Sequence, residues 1–198
     1  MNILIITGNP KETNHTRSIG ETYKNEVEKL GHIVRTIDVY SDEYKMAYSH
    51  GARLPEGDPN IEIIKKSQDA ITWAEEIIFI HPIWWSHMPA GLKNWVDSVF
   101  TPGFAYKYEE GIEVKLLLGK KAKVFCTAGS YATYYQIPIV RFFTPLHIIW
   151  KYATLGFFGI DLIDFKVCDN MNTNNSCPPV GCFETFTRRV EFSAKFIH

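Results

Sequence analysis

MNILIITGNPKETNHTRSIGETYKNEVEKLGHIVRTIDV, residues 1–39, reads as strand, loop, helix and second strand, and that alternation decides the fold class. The run at residues 3–7 is short and apolar, as expected for a strand covered on both faces. Ile19, Tyr23, Val27 and Leu30 then recur at helical spacing across residues 16–30, and Gly31 stands where a helix stops. Residues 33–39 return to a strand pattern. Working outward, similar apolar runs at 77–80, 122–127 and 160–167 alternate with further helical patterns. Residues 61–73 carry Ile61, Ile64, Ala70 and Trp73 behind Pro59 and Asn60, and Pro89 opens a helix marked by Leu92, Trp95, Val96 and Val99. Two more helices are expected at 139–152 and 185–196. The polar stretch 41–58 reads as a long loop, and the irregular stretch 101–118 has room for a short hairpin. Five strands with intervening helices predict an α/β fold, a five-stranded parallel sheet with helices on both faces. No repeat is evident, and 198 residues suit a single domain over 1–198.

Composition narrows the function. Hydrophobic residues make up 45% and charged residues 22%, a globular balance without the low apolar content of disordered chains. The formal net charge is -1 and the basic residues are scattered, so neither nucleic acid nor an anionic membrane surface is an expected partner. A small molecule is. The first residues lack a basic leader and no apolar run is long enough to cross a bilayer, which predicts a soluble, cytoplasmic protein without membrane insertion. Cys126 sits in a strand pattern, and Cys168, Cys177 and Cys182 match no zinc or CxxC spacing. Reduced structural thiols and no metal are expected; a Cys177 to Cys182 disulfide is the alternative.

In a doubly wound sheet, ligands bind beyond the carboxyl ends of the strands at the topological switch point, which directs attention to the loops after strands one, three and four. The first loop, TGNPKETNHTR at 7–17, enters a helix directly. Asn9, Asn14 and Thr16, with backbone N–H groups at the helix start, offer donors to an anion, and His15 and Arg17 add positive charge. The loop is neither a GxGxxG nor a GxxxxGK[ST] motif, which disfavours dinucleotide and nucleoside-triphosphate modes. Asn14 or Thr16 could equally serve only as a helix cap. The second loop, HPIWWSHMPAGLKNW at 81–95, contains adjacent tryptophans beside a helix start, a flat apolar wall suited to a planar ring. Trp95, on the helix's apolar stripe, reads instead as core.

This second loop and its continuation to Tyr106, P-x-W-W-x-x-M-P-A-x-L-K-x-W-x-D-x-V-F-x-P-G-F-A-Y, closely resemble the NAD(P)H:quinone oxidoreductases. That group includes the modulator-of-drug-activity enzymes and the ancillary flavoproteins of potassium efflux systems. Gly8-Asn9-Pro10, Thr127-Ala128-Gly129 and Thr154-Leu155-Gly156-Phe157-Phe158-Gly159-Ile160 support the resemblance along most of the chain.

The resemblance implies a flavodoxin-like fold, a bound flavin (FMN or FAD), NAD(P)H as cosubstrate, a quinone-like, azo or nitro acceptor, and a homodimer. It places the flavin phosphate on Asn9, Asn14, His15, Thr16 and Arg17. The ring edge falls on Pro82, Ile83, Trp84 and Trp85, and the pyrimidine on Thr127, Ala128, Gly129 and Ser130. Tyr134 matches a tyrosine near the same ring, with Tyr131 and Tyr135 competing for that alignment. Phe104 and Tyr106 resemble aromatics that reach across the dimer to roof the substrate pocket, where local packing is the simpler reading.

A histidine that some members carry after the tyrosine is replaced here by Gln136-Ile137-Pro138-Ile139. His81, His87 and His147 are present elsewhere, and a lone histidine is more often structural. The implied mechanism is ping-pong hydride transfer, with N–H groups from Ala128 to Ser130 and the Tyr134 hydroxyl stabilising charge on the reduced ring. Two alternatives share these motifs: a regulatory subunit of a potassium efflux transporter, and a one-electron carrier, against which the near-neutral charge argues.

Overall fold

A computed structural model describes residues 1–12, 14–48, 54–129, 143–168 and 182–195. Five strands, β1 (Asn2–Thr7), β2 (Ile33–Asp38), β3 (Glu76–Pro82), β6 (Lys121–Thr127) and β7 (Asp161–Cys168), form one sheet. They lie in the order β2-β1-β3-β6-β7 and every pairing is parallel. This is the flavodoxin-like α/β arrangement, with the order reversing direction between β1 and β3. The remaining strands, β4 (Tyr106–Glu109) and β5 (Ile112–Lys115), pair antiparallel as the hairpin for which the 101–118 stretch has room.

The side-chain pattern explains why the helices sit where they do. Both faces of the central strands are apolar, so both need cover. On one face, Ile3, Ile5, Ile78, Ile80 and Phe125 pack with α1 (His15–Lys29) and α5 (Cys182–Lys195), through Ile19, Tyr23, Val27, Val190 and Ala194. On the other, Leu4, Ile6, Ile77, Phe79, Val124 and Cys126 meet α2 (Asn60–Trp73), α3 (Ala90–Val99) and the segment from α4 (Phe143–Ile148) to Phe158. That segment continues from α4 as a π-helix, Ile149–Leu155, then a closing turn, Gly156–Phe158. The helix expected at 139–152 is therefore described from residue 143 and runs past 152.

Two expected apolar positions are not buried. Leu30 is 50% exposed because it caps α1 beyond its last turn, and Ile61 is 42% exposed. The buried face of α2 instead carries Asn60 and Ser67 beside Ala70 and Ile71. Both polar side chains are satisfied: Asn60 exchanges hydrogen bonds with the backbone of Ala47, and Ser67 Oγ accepts from Trp95 Nε1 at 3.2 Å.

A polar cluster sits inside the core on the α1 and α5 face of the sheet. Lys123 and Glu76, 2% and 0% exposed in their side chains, pair at 3.1 Å. The Tyr23 hydroxyl donates to Glu76 at 2.7 Å, and the Lys123 ammonium donates to Tyr23 Oη at 3.0 Å and to the Ser193 carbonyl at 2.9 Å. The network ties α1, β3, β6 and α5 together. Burial, then the Glu76 charge, lifts the Tyr23 hydroxyl far above its ordinary range, so it stays a donor. Removing Lys123 leaves a buried carboxylate with no cation. Lys123→Ala is expected to lower unfolding free energy by about 3–5 kcal/mol, and Lys123→Met with Glu76→Leu by much less; urea denaturation of the two variants checks this.

Candidate functional site

The loops after β1, β3 and β6 all leave from the carboxyl edge of the sheet, and hydrogen bonds fasten them to one another. Gly8 N–H donates to the Ile80 carbonyl at 2.9 Å, Ile83 N–H to the Thr127 carbonyl at 2.7 Å, and Ala128 N–H to the Cys168 carbonyl at 2.7 Å. Gly8 must be small: a Cβ there would lie 2.9 Å from the Leu92 side chain, so the first loop rests directly on α3.

In the first loop, Asn14 is the N-cap of α1, its Oδ1 accepting from Arg17 N–H at 2.8 Å while its amide donates to the Lys11 carbonyl. The capping role therefore consumes the side chain that also reads as a phosphate donor. Asn9 donates to Thr16 Oγ1 at 3.1 Å and accepts from Lys11 N–H at 3.1 Å. Thr16 is buried and His15 half-buried, where desolvation lowers its pKa. Arg17 pairs with Asp38 at the end of β2, 2.7 Å apart, the arginine side chain still 53% exposed. What remains at this end is a polar loop under the positive end of a helix, the chemistry that suits a phosphate.

The second loop makes a tight reversal. Trp84 and His87 exchange backbone hydrogen bonds of 2.9 and 3.0 Å, and the two residues between them, Trp85 and Ser86, have φ of 47° and 61°. A two-residue turn with positive φ at both centres ordinarily takes Asn-Gly, so a tryptophan here is strained. The turn places Trp85 wholly in solvent, with Trp84 43% exposed, while Pro82 is buried and Ile83 half-buried. Neither tryptophan is core filling; Trp95 is, with no exposure. At the start of α3, Gly91 N–H donates to the Tyr40 hydroxyl at 3.0 Å.

In the third loop, Thr127 and Ala128 are buried and Gly129 is partly exposed. One expected contribution is corrected here: the Ala128 N–H is engaged by the Cys168 carbonyl, because it extends the β6–β7 ladder by one residue, and so is not available to a ligand. Ser130 and Tyr134, with Tyr131 and Tyr135, lie outside the described residues. So do Cys177 and any disulfide it could form.

Phe104 and Tyr106 are not brought to this edge within one chain. Helix α3 runs away from it, and Tyr106 packs 4.9 Å from Phe157 and 6.3 Å from Phe158. Phe158 stacks on Phe100 at 4.6 Å and its carbonyl accepts from Leu117, beside the starts of β6 and β7. Among the described residues no group of three His, Cys, Asp or Glu side chains is placed to hold a metal, and no helix is long and apolar enough to cross a membrane.

Sequence reasoning passed over His81 as a lone histidine. The period-two pattern gives the signal, since His81 follows Ile77 and Phe79 on the same covered face. It is fully buried, 5.7 Å from the Trp150 ring, and desolvation lowers its pKa from 6.5 to about 4. Burial likewise pushes the neighbouring Cys126 thiol well up, so both groups stay neutral at physiological pH.

The residues present fit a flavin mononucleotide portion: a polar helix-start loop for phosphate, a pair of exposed indoles, and the start of the third loop at the same sheet edge. The comparisons agree on the frame. A family model described as flavodoxin-like fold matches residues 1–178. An uncharacterized NAD(P)H oxidoreductase of Haemophilus influenzae is 36% identical over 142 residues, covering 69% of this chain and 68% of that one. An FMN-dependent NADH:quinone oxidoreductase of Macrococcus caseolyticus is 26% identical over 86% of this chain and 87% of that one. The solved NAD(P)H:quinone oxidoreductase from Methanothermobacter marburgensis superposes with a TM-score of 0.79 over 100% of this chain and 99% of that one, at 23% identity, a likeness of fold. The chain spans between 43% and 60% of the length of three other relatives.

Because the unfolded chain binds a proton at His81 near pH 6.5 and the folded one only near 4, stability falls as pH drops through that window and levels off below it. The loss attributable to this group is about 3 kcal/mol. Denaturation midpoints measured from pH 7 to pH 4 should show this slope in the native chain and a shallower one in His81→Phe.

Proposed function

The chain belongs to the flavodoxin-like-fold family, and from that premise we propose that it is a flavin-dependent NAD(P)H dehydrogenase that reduces quinone-like acceptors, azo or nitro compounds among them. The observation that carries the reading is the exposed tryptophan turn held at the sheet edge, beside the polar start of α1. A flat apolar surface next to an anion-binding helix start is what a ring system bearing a phosphate requires. The names of the Haemophilus and Macrococcus relatives support oxidoreductase chemistry, and the second supports FMN over FAD.

In this reading one domain, acting in the cytoplasm, holds the phosphate on Asn9, His15, Thr16 and Arg17, with Asn14 shaping the loop from its capping position. Arg17 exchanges Asp38 for the phosphate or shares itself between them. Ile83, Trp84 and Trp85 wall the ring, Pro82 sets their course, and Thr127 and Gly129 face its polar edge with Ser130 and Tyr134. When bound, a flavin supplies hydride transfer in two-electron steps. The residues contribute binding, exclusion of water by the indole pair, and backbone donors from Gly129 and Ser130 toward developing negative charge. Nicotinamide and acceptor use one face in turn. The regulatory-subunit alternative draws no support from these relatives, which are named as oxidoreductases.

The purified protein should show a flavin absorption band that bleaches anaerobically with NADH or NADPH and recovers on adding menadione, with parallel double-reciprocal plots in steady-state assays. No flavin bound even on adding FMN or FAD would sink the reading.

We also infer a homodimer, in which the partner subunit's Phe104 and the partner's Tyr106 roof the acceptor pocket. Their position away from the loops of their own chain supports this. Sedimentation equilibrium should give twice the 22.8 kDa chain mass; a monomer at micromolar concentration would refute it.

A further inference from the structure

One buried side chain connects the core to the tryptophan turn. His81 Nδ1 lies 2.9 Å from the Pro82 carbonyl oxygen, and Nε2 lies 3.4 Å from Cys126 Sγ. A carbonyl can only accept, so Nδ1 carries the proton. Nε2 is then a lone pair, which the Cys126 thiol can satisfy by donating S–H. In this tautomer both ring nitrogens of His81 and the Cys126 thiol have a partner.

The consequence falls on the next peptide. The carbonyl of the Pro82–Ile83 peptide accepts from His81, and its N–H donates to the Thr127 carbonyl at 2.7 Å. The plane is held from both sides, and Pro82 contributes its fixed φ just before it. Trp84, which opens the strained turn, is the residue after Ile83. The orientation of this peptide therefore sets where the turn points. The imidazole is itself braced by the Trp150 ring, which packs 4.7 Å from Phe79.

We propose that His81 is a positioning residue for the flavin site: by donating from Nδ1 to the Pro82 carbonyl it fixes the Pro82–Ile83 peptide, and through it the indole wall. The proposal rests on the flavin reading of this site.

Two substitutions separate a hydrogen-bond role from a packing role. His81→Phe keeps a ring against Trp150 but has no donor. His81→Asn loses ring volume but can place an amide N–H near the position of Nδ1. In titrations with FMN and with FAD, followed by flavin fluorescence, His81→Phe is expected to bind about tenfold more weakly than the native protein, and His81→Asn to stay within about threefold. This order should hold even though His81→Asn, with the larger cavity, melts at the lower temperature. The reverse order, or equal binding by all three proteins, would overturn the proposal.

Amide exchange at Ile83 in the flavin-free protein provides a second readout. Faster exchange in His81→Phe than in His81→Asn supports positioning of the peptide, and unchanged exchange in both overturns it. If the native protein binds neither FMN nor FAD, the proposed function fails, while the Ile83 exchange still decides whether His81 holds the peptide.

Discussion

A parallel strand can be followed by another only if the chain travels back along the outside of the sheet, and this return governs everything above it. Each return costs a helix, each helix must bury a face, and every strand therefore ends at the same edge. Here the edge gathers three loops whose residues are far apart in sequence: Gly8 to Arg17, Pro82 to His87, and Thr127 to Gly129. Backbone bonds from Gly8 to Ile80 near the end of β3 and from Ile83 to Thr127 extend the ladder logic of the sheet into the site. The site is in this sense the frayed end of the ladder, with its last rungs still in place.

The parts of the fold legible in the sequence are those where one physical demand dominates. Strands covered on both faces must be apolar, and β1, β3 and β6 are. Helix α1 has a stripe, a cap and a stop. Where two demands compete, the reading fails. Lys123 sits unremarked in a strand pattern because the groups that satisfy it, the Glu76 carboxylate and the Tyr23 hydroxyl, are 47 and 100 residues away. The burial of Asn60 and Ser67 in place of Ile61 depends on acceptors and donors that only tertiary contact supplies.

The site was legible as a set of loops, and less so as a set of atoms. Asn14 and Ala128 have the expected addresses, yet their polar groups are partly used by a cap and by the sheet. The Trp84–His87 reversal carries no turn signature, since Trp-Ser is not a pair that local preference would place at two positive φ values. Such a conflict between local preference and observed backbone is what a functional constraint leaves behind. His81 is the opposite case, a polar residue whose chemistry is neutralised by depth so that it can act through geometry alone.

The distribution of the five tryptophans has an optical consequence. Trp95 and Trp150 are sealed in the core and Trp85 is wholly solvated, with Trp73 half-buried at the end of α2, so intrinsic emission is expected to divide into a blue population reporting on the core and a red one to which the sheet-edge indoles contribute most. A coloured molecule arriving there would dim the red population first. The chain thus carries a built-in gauge that distinguishes occupation of its edge from loosening of its interior, without any attached label.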